Sequence, residues 1–398
     1  MAIASGLGKV VSYKKESTFG VPATGSTGGK QLRRVTADFN LTKEAYSSNE
    51  IRTSRQNASS THGVRSATGS LSGELSAGSY ADFIGSILAK NFAAKTFAAP
   101  ISVTVTVSGS LYKFVRATGS FTTDGFREGL IVTTAGLTDV DDNGRNFLIT
   151  AVTANQLTFV PLDTLGAPAA QGTASSVTFT VPGKETYIPQ TGHTDDSYTV
   201  EEWYSDITQS HVFSGMKVNS MSVSMPSTGI VTMDFGFAGK DMASTGTTQY
   251  FTAPTAQGTS GVMAAVSGAV IVNDVPVALI TSIDFSVDRA TENATVIGSN
   301  SLADIFTSRI LVTGNMSVYF TDATFRDYFD DEAEVSIVLG VSTQACATSS
   351  AMSFYFNRVK INSFSNADSD MGIVASVAWE ALEGCDGTST IYVQDTLA

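Results

Sequence analysis

The sequence predicts an all-β-dominated fold. In it, one β-sandwich or barrel domain with a single flanking α-helix occurs twice, and a small β-domain is inserted into the first copy. Three observations support this fold class. Two blocks of sequence recur at fixed shifts, the shifts differ by the length of a small domain, and the abundance of Gly, Ser and Thr favours sheets and turns over helix bundles.

The repeat is visible in two pairs of segments. Residues 68–75 (TGSLSGEL) recur as 313–320 (TGNMSVYF), a shift of 245, and residues 217–221 (KVNSM) recur as 360–364 (KINSF), a shift of 143. The shifts differ by 102 residues (245 − 143), the length of something present in the first copy and absent from the second. Two similar domains in one chain favour a ring whose symmetry is half the number of its lobes.

The patterns along the chain divide it into five parts. They are an N-terminal arm (1–31), a discontinuous first domain (32–96 and 191–240), an inserted β-domain on the outside (97–190), a linker (241–260) and a second domain (261–398). The arm is Gly-rich with few apolar residues, and the linker is rich in Thr, Gly, Ala and Ser.

The first domain opens with a strand at 32–41, where apolar residues alternate with polar ones. Residues 42–66 are polar and predict a loop, and loops of this length are usually functional or disordered. A second strand contains Leu71 and Leu75. The segment 218–237, with a turn at Ser227-Thr228-Gly229, predicts a hairpin whose counterpart is 359–379.

One helix follows in each copy. Tyr80, Phe83, Ile84, Ile87 and Leu88 have the spacing of one apolar helical face. The equivalent second face is shorter and leads into a strand at 335–339. Ser79 and Thr324 are expected as the N-cap residues, because each has an aspartate three positions later.

The inserted segment 97–190 contains five or six short runs of alternating or β-branched residues separated by turns, which predicts a small barrel or sandwich. Its length agrees with the 102-residue difference between the repeat shifts.

No residue pattern predicts catalysis, a cofactor or a metal. Asp139–Asn143 begins like a calcium loop, but position twelve is Thr150 and the flanks alternate like strands, so a tight turn is favoured. The pairs Asp195-Asp196 and Glu201-Glu202 are not expected to act as catalytic dyads, because adjacent strand residues point to opposite sides. They are expected on a solvated face.

Charge and cysteine content limit the possible partners. The net charge is −13, yet residues 1–100 carry +6 and residues 260–398 carry −12, which suits head-to-tail association of identical subunits. Tight nucleic-acid binding is disfavoured because the chain is acidic. The sequence contains no run of 18 apolar residues, so a transmembrane helix is not expected. Cys346 and Cys385 are expected as free thiols, with a disulfide between them as the alternative.

Several segments, taken in order, resemble the tail tube (major tail) proteins of long-tailed, non-contractile bacteriophages. They are 16–22 (ESTFGVP), 38–44 (DFNLTKE), 50–52 (EIR), 68–75 (TGSLSGEL), 215–240 and 284–320. Together with the duplication, they extend the resemblance over most of the chain outside 97–190.

The resemblance implies a structural virion protein that is made in the bacterial cytoplasm and located in the tail. Its β-sandwich domains would close into rings, and stacked rings would carry DNA to the host. With two lobes per chain, a trimer of pseudo-sixfold shape is expected, with a hexamer as second choice. The implied partners are the protein itself, a tape measure protein, tail-end proteins and transiently passing DNA. The alternative function is a receptor-binding adhesin or fibre.

The polar loop is expected to contact the adjacent ring. Its basic residues would meet acidic surface there, with one isoleucine as an anchor in a pocket of the neighbour. The expected loop contacts are Lys43, Ile51, Arg52, Arg55 and Arg65, and the expected acidic surface is Asp330, Asp331, Glu332 and Glu334.

Overall fold

The computed structural model describes residues 3–25, 28–97, 100–108, 111–343, 349–367, 372–385 and 387–398, with the backbone alone at 243–245. The helices are α1 (Ala81–Ile87) and α2 (Thr324–Asp330). The strands are β1 (Lys9–Lys15), β2 (Lys30–Gln31), β3 (Thr36–Ser47), β4 (Ser60–Glu74), β5 (Ile101–Ser108), β6 (Leu111–Val115), β7 (Ile131–Ala135), β8 (Asn146–Val152), β9 (Gln156–Pro161), β10 (Gln171–Thr180), β11 (Lys184–Tyr187), β12 (Tyr198–Tyr204), β13 (Gln209–Met225), β14 (Thr232–Gly239), β15 (Asp241–Gly246), β16 (Gly268–Val272), β17 (Val275–Pro276), β18 (Ile280–Ala294), β19 (Asp304–Tyr319), β20 (Glu334–Ser342), β21 (Ala351–Asn366), β22 (Val374–Leu382) and β23 (Ile391–Asp395). The all-β-dominated fold class is therefore confirmed.

Two strand groups account for the architecture. Strands β5 to β10 close into a six-stranded barrel, while the other 17 described strands form one hydrogen-bonded, branched sheet. The barrel is filled by clustered phenylalanines, among them Phe114, which stacks on Phe159 at 4.2 Å between ring centroids. None of the described helices is long and apolar enough to cross a membrane.

The duplication appears as the same strand order in both copies. Neighbouring strands follow the order β3–β4–β14–β13 in the first copy and β18–β19–β22–β21 in the second. Bulges interrupt the ladders at Asn219 and at Asn362, which are 143 residues apart. The two groups are joined edge to edge, because β13 also pairs with β18 from Ser220 opposite Asp288 to Met225 opposite Ile283.

Each copy has a glycine facing a large aromatic ring at the same place in its sheet. Gly69 lies opposite Phe39 and Phe237, and Gly314 lies opposite Phe285 and Trp379. A Cβ atom on Gly314 would approach the Trp379 ring to 2.2 Å. Only glycine leaves room for these fully buried rings, so the backbone and the aromatic core are fitted to one another.

The two helices pack differently. The predicted face of α1 is fully buried, including Phe83, Ile84 and Ile87, whereas α2 has no buried residue. The expected N-caps are wrong, because Tyr80 precedes α1 without a side-chain cap and Ala323 precedes α2.

Three segments expected to be irregular are ordered. The N-terminal arm contains β1, which pairs with β12 along its whole length and buries Tyr13. The expected linker contains β15, which pairs with β13, and a fully buried Phe251. The expected loop 42–66 is mostly the β3–β4 hairpin, leaving 48–59 as its tip. Backbone pairing ordered all three, and their small polar residues gave no periodic signal for it.

The barrel is attached to the second copy by a separate contact. Ile131, Leu148 and Leu162 of the barrel segment pack with Val338 and Tyr355 in a third apolar cluster. Buried Gln394 adds two hydrogen bonds to Ile131, accepting from its backbone N–H at 2.8 Å and donating to its carbonyl at 3.0 Å. This contact holds the barrel on the second copy.

Candidate functional site

One face of the large sheet is polar along its whole width. In each of its eight main strands buried apolar residues alternate with exposed or half-exposed polar ones, so the apolar residues form the core and the polar residues form an open face. The rows run, for example, from Asp38 through Ser70 and Gly236 to Ser220, and continue across the junction through Asp288. The open face therefore spans both copies.

The open face is acidic. It carries hydroxyl and amide side chains together with six carboxylates: Asp38, Glu74, Asp234, Asp284, Asp288 and Glu380. Two lysines end such rows, Lys217 opposite Ala238 and Lys360 opposite Glu380, and each is ion-paired with carboxylates of its own chain. Exposed Arg309 continues the alternation towards the tip of the β18–β19 hairpin. Such a surface repels polyanions and offers them few hydrogen-bond partners of the right charge.

The sheet ends in two open edges. At one edge, β3 pairs with β4 and with no other described strand. At the other edge, residues 361–366 of β21 pair with β22 on one side, because pairing with β20 stops at Lys360. A long unpaired edge presents backbone donors and acceptors to another chain, so each edge is a potential assembly surface.

The predicted basic residues occupy different positions on the β3–β4 hairpin. Lys43 lies on β3, and Ile51, fully exposed, lies in the tip. Arg52 is ion-paired with Glu50 at 2.9 Å, both side chains being about half exposed or more. Arg55 is also in the tip, with a positive φ of 56°. Arg65 differs from the others, because it is ion-paired with Asp241 of the same chain at 2.6 Å.

The predicted acidic residues surround the end of α2, and part of them is already paired. Asp330 lies 3.8 Å from Arg326. Lys360 donates to Glu332 at 2.8 Å, and that hydrogen bond lowers the pKa of the Glu332 carboxyl. A hydrogen bond from Arg358 lowers the pKa of Glu334 in the same way. The described contacts include no ion pair to Asp331, so the cluster keeps negative charge for a partner.

The second carboxylate pair is not solvated as expected. Glu201 and Glu202 are buried, and Lys9 pairs with Glu202 at 2.6 Å. Glu201 accepts hydrogen bonds from Ser210 and from the backbone N–H groups of Tyr250 and Phe251. The expectation was wrong because the segment after β15 folds over this strand and covers it.

The motif at Asp139–Asn143 forms protein contacts. Asp139 accepts a hydrogen bond from the Asp141 N–H, and Arg145 binds Asp142 at 2.7 Å. In the part of the chain that the structure describes, no group of three or more His, Cys, Asp or Glu side chains is arranged to hold a metal ion. Cys385 is exposed with a free thiol, while Cys346 lies outside the described residues.

Comparison with known families gives one match. A family model described as phage tail tube protein matches residues 6–381, which is nearly the whole chain and includes the inserted barrel. A search of the curated proteins found no match.

Proposed function

The chain belongs to the phage tail tube protein family, and from this premise we propose that copies of it close into rings that stack into the tube of the virion tail, the conduit for DNA. Membership implies a structural protein that assembles with itself.

The junction between the two copies within one chain carries the proposal. There β13 of the first copy pairs with β18 of the second over six residues. The strand equivalent to β13 is β21, and the strand equivalent to β18 is β3. These are the strands with open edges. Repeating the internal junction between chains therefore pairs β21 of one chain with β3 of the next.

The register of that pairing follows from the equivalences. Phe39 corresponds to Phe285 at a shift of 246, and Ser220 corresponds to Ser363 at 143. Transferring the internal register places Ser363 opposite Thr42 and Ser365 opposite Asn40. With two lobes in each chain, three chains give a closed ring of pseudo-sixfold shape, and eight strands per chain make a 24-stranded wall. Closure leaves no sheet edge exposed.

The open face lines the lumen in this arrangement. Phe83 of α1 packs against Phe235 and Phe237 on the apolar side of the sheet, and Phe325 and Tyr328 of α2 pack against the same core. The opposite face, with six carboxylates per chain, is therefore the one that can turn inward. The negative charge of this face repels the phosphates of passing DNA. Retention of DNA would need lysine and arginine contacts to the phosphates, and the face offers few free basic side chains for them. DNA thus passes without specific binding.

Lys43 belongs to the contact within the ring. Its equivalent at the internal junction is Arg289, which donates to the Ser86 carbonyl in the last turn of α1 and lies 3.6 Å from Asp195. At the junction between chains, Lys43 would accordingly lie beside the last turn of α2, near Asp331 and Glu332. This assigns one basic residue and part of the acidic cluster to ring closure.

The remaining tip residues, Ile51, Arg52 and Arg55, extend beyond the paired strands and are proposed to contact the adjacent ring. Arg65 and Glu334, which are paired within their own chain, would support these surfaces without direct contact. Tape measure and tail-end proteins are the partners we assign to the inside and the ends of the tube.

Engineered disulfides test ring closure. Asn40 and Ser365 are both exposed on the open face, so Asn40→Cys with Ser365→Cys disturbs no core packing. The matched positive control is Ser222→Cys with Ser286→Cys, the equivalent pair at the internal junction. The negative control is Asn40→Cys with Ser376→Cys, one strand further away. All variants carry Ser in place of Cys346 and Cys385.

Oxidised assemblies are then denatured and separated without reductant. The first pair is expected to give covalent trimers and nothing larger, while the positive control stays monomeric and more compact. Covalent hexamers would show six chains per ring. No cross-link in assembled tubes would mean that the ring closes through other strands.

A further inference from the structure

An apolar cavity of about 480 Å³ lies under α2 at the base of the second copy. Here base means the end of the large sheet opposite the tips of the β3–β4 and β18–β19 hairpins. Apolar side chains line the cavity, and Asp322 and Thr324 stand at its margin. The main lining residues are Val275, Leu279, Phe320, Phe325, Tyr328 and Phe364.

The first copy covers its own base, and the second does not. In the first copy, fully buried Met263 bridges Leu75 and Val231 through backbone hydrogen bonds. Among the described residues, no comparable segment crosses the base of the second copy, where Phe320 and Phe329 are each 39% exposed. An apolar cavity left open in this way indicates a contact with another molecule.

The hairpin tips present what such a cavity can receive. Ile51 in the β3–β4 tip and Ile297 in the β18–β19 tip are fully exposed, and they are 246 residues apart, the shift that relates β3 to β18. Both copies therefore carry an isoleucine in water at the same place. Burying an exposed apolar side chain at a protruding tip against a partner stabilises the complex, because apolar surface is removed from water.

Strand directions place tips and cavity at opposite ends of the molecule. β4 runs 15 residues from the tip to the base, about 45 Å at the usual rise per residue. The cavity is lined by Val318 and Tyr319 at the base end of β19. When identical rings stack head to tail, the tips of one ring face the cavities of the next.

Charge selects between the two tips. The tip around Ile51 carries Glu50, Arg52 and Arg55 and so keeps one net positive charge, whereas residues 295–303 around Ile297 carry no charged side chain. Around the cavity the charge is negative, with exposed Asp322, Asp327 and Asp330, the last two sharing Arg326. We propose that Ile51 of one chain inserts into the cavity under α2 of a chain in the adjacent ring, with its arginines against these aspartates. This inference rests on the stacking of rings in the proposed function.

Cross-linking across rings tests the contact. Val275 lines the cavity and is 62% exposed, so Ile51→Cys with Val275→Cys should fold normally. Control pairs join Ile51→Cys to Val140→Cys, an exposed valine on the barrel, and Val275→Cys to Ile297→Cys. Cys346 and Cys385 are replaced by Ser throughout. Oxidised tubes of the first pair should give a covalent ladder extending beyond three chains, because each ring is linked to the next.

The outcomes separate this inference from the proposed function. A ladder with Ile297→Cys in place of Ile51→Cys, or no ladder in tubes that do form, overturns the inference alone. Failure of the unmodified protein to form rings overturns the proposed function. As a second measurement, Ile51→Asp should leave the Asn40–Ser365 ring cross-link intact and raise the protein concentration needed for tube growth about tenfold or more, with Ile51→Val nearly unchanged. Normal growth of the aspartate variant would also overturn the inference.

Discussion

Adding one methyl group at Gly314 should destabilise the folded chain. An alanine Cβ would lie 2.2 Å from the Trp379 ring and 2.6 Å from the Asp284 carbonyl oxygen. Since Trp379 is 1% exposed and the carbonyl belongs to the backbone, the side chain alone cannot relieve the overlap. Overpacking of this kind costs about 1–3 kcal/mol, and we expect the upper part of that range.

The equivalent change at Gly69 should cost less. There the three nearest atoms all belong to the Phe39 side chain, at 2.3 Å and beyond, and a side chain can rotate away. Gly172→Ala is the control, because nothing lies within 4 Å of its Cβ position. The control should change the free energy of unfolding by less than about 0.5 kcal/mol.

Urea unfolding of the unassembled chain, followed by tryptophan fluorescence, measures the three variants. Combining Gly314→Ala with Trp379→Leu should cost less than the sum of the single changes, because the smaller side chain frees the space. If Gly314→Ala is as stable as Gly172→Ala, the fit between the glycine and the aromatic ring does not constrain the sheet as argued.

Four further predictions concern ionisable groups. Burial, with a contribution from Asp274, raises the pKa of Glu128 to about 7, so its ionisation above that pH works against folding. Glu128→Gln should therefore raise Tm relative to wild type at pH 8 and change it little at pH 5. Glu16→Ala removes the acceptor of four hydrogen bonds that fasten the N-terminal segment, and should cost about 3 kcal/mol in urea unfolding. Arg52→Glu with Arg55→Glu should leave the free energy of unfolding within about 0.5 kcal/mol of wild type and impair tube growth at low and high salt, as turbidity would show. Lys43→Glu should lower the yield of the Asn40–Ser365 cross-linked trimer, and Asp331→Lys should restore it; equal yields in all three would remove Lys43 from the ring contact.

The repeated strands could be predicted from the sequence because the motif blocks keep their spacing. The shift of 245 relates β4 to β19, and the shift of 143 relates β13 to β21. The two helices were predicted from their apolar faces for the same reason. When two copies share the same backbone fold, their elements have the same lengths, so the shift between equivalent residues stays constant along the sequence.

Tertiary pairing could not be predicted in the same way. The ladder between β13 and β18 consists of backbone hydrogen bonds between strands rich in serine and aspartate on one face, and such strands have no sequence signal for their partner. The N-terminal segment is also fastened by buried Glu16, which receives donors about 180 to 200 residues away. The open acidic face emerges only once the strands are aligned.

The predicted surface residues illustrate the same limit. Charge alone grouped Arg65 with Arg52 and Arg55, but Asp241 pairs with Arg65 inside the chain. Likewise Glu334 was grouped with Asp331, although Arg358 already binds it. Composition predicts that a segment is charged, and only the packing decides which charges remain for a partner.

A reconstruction of the assembled particle by electron cryomicroscopy, at a resolution that separates strands, tests the central claim most directly. We expect three chains per ring, a 24-stranded wall with the six carboxylates of each chain facing inward, and residues 363–366 of β21 paired with β3 of the next chain. Six chains per ring, or a wall closed through any other pair of strands, would contradict the account.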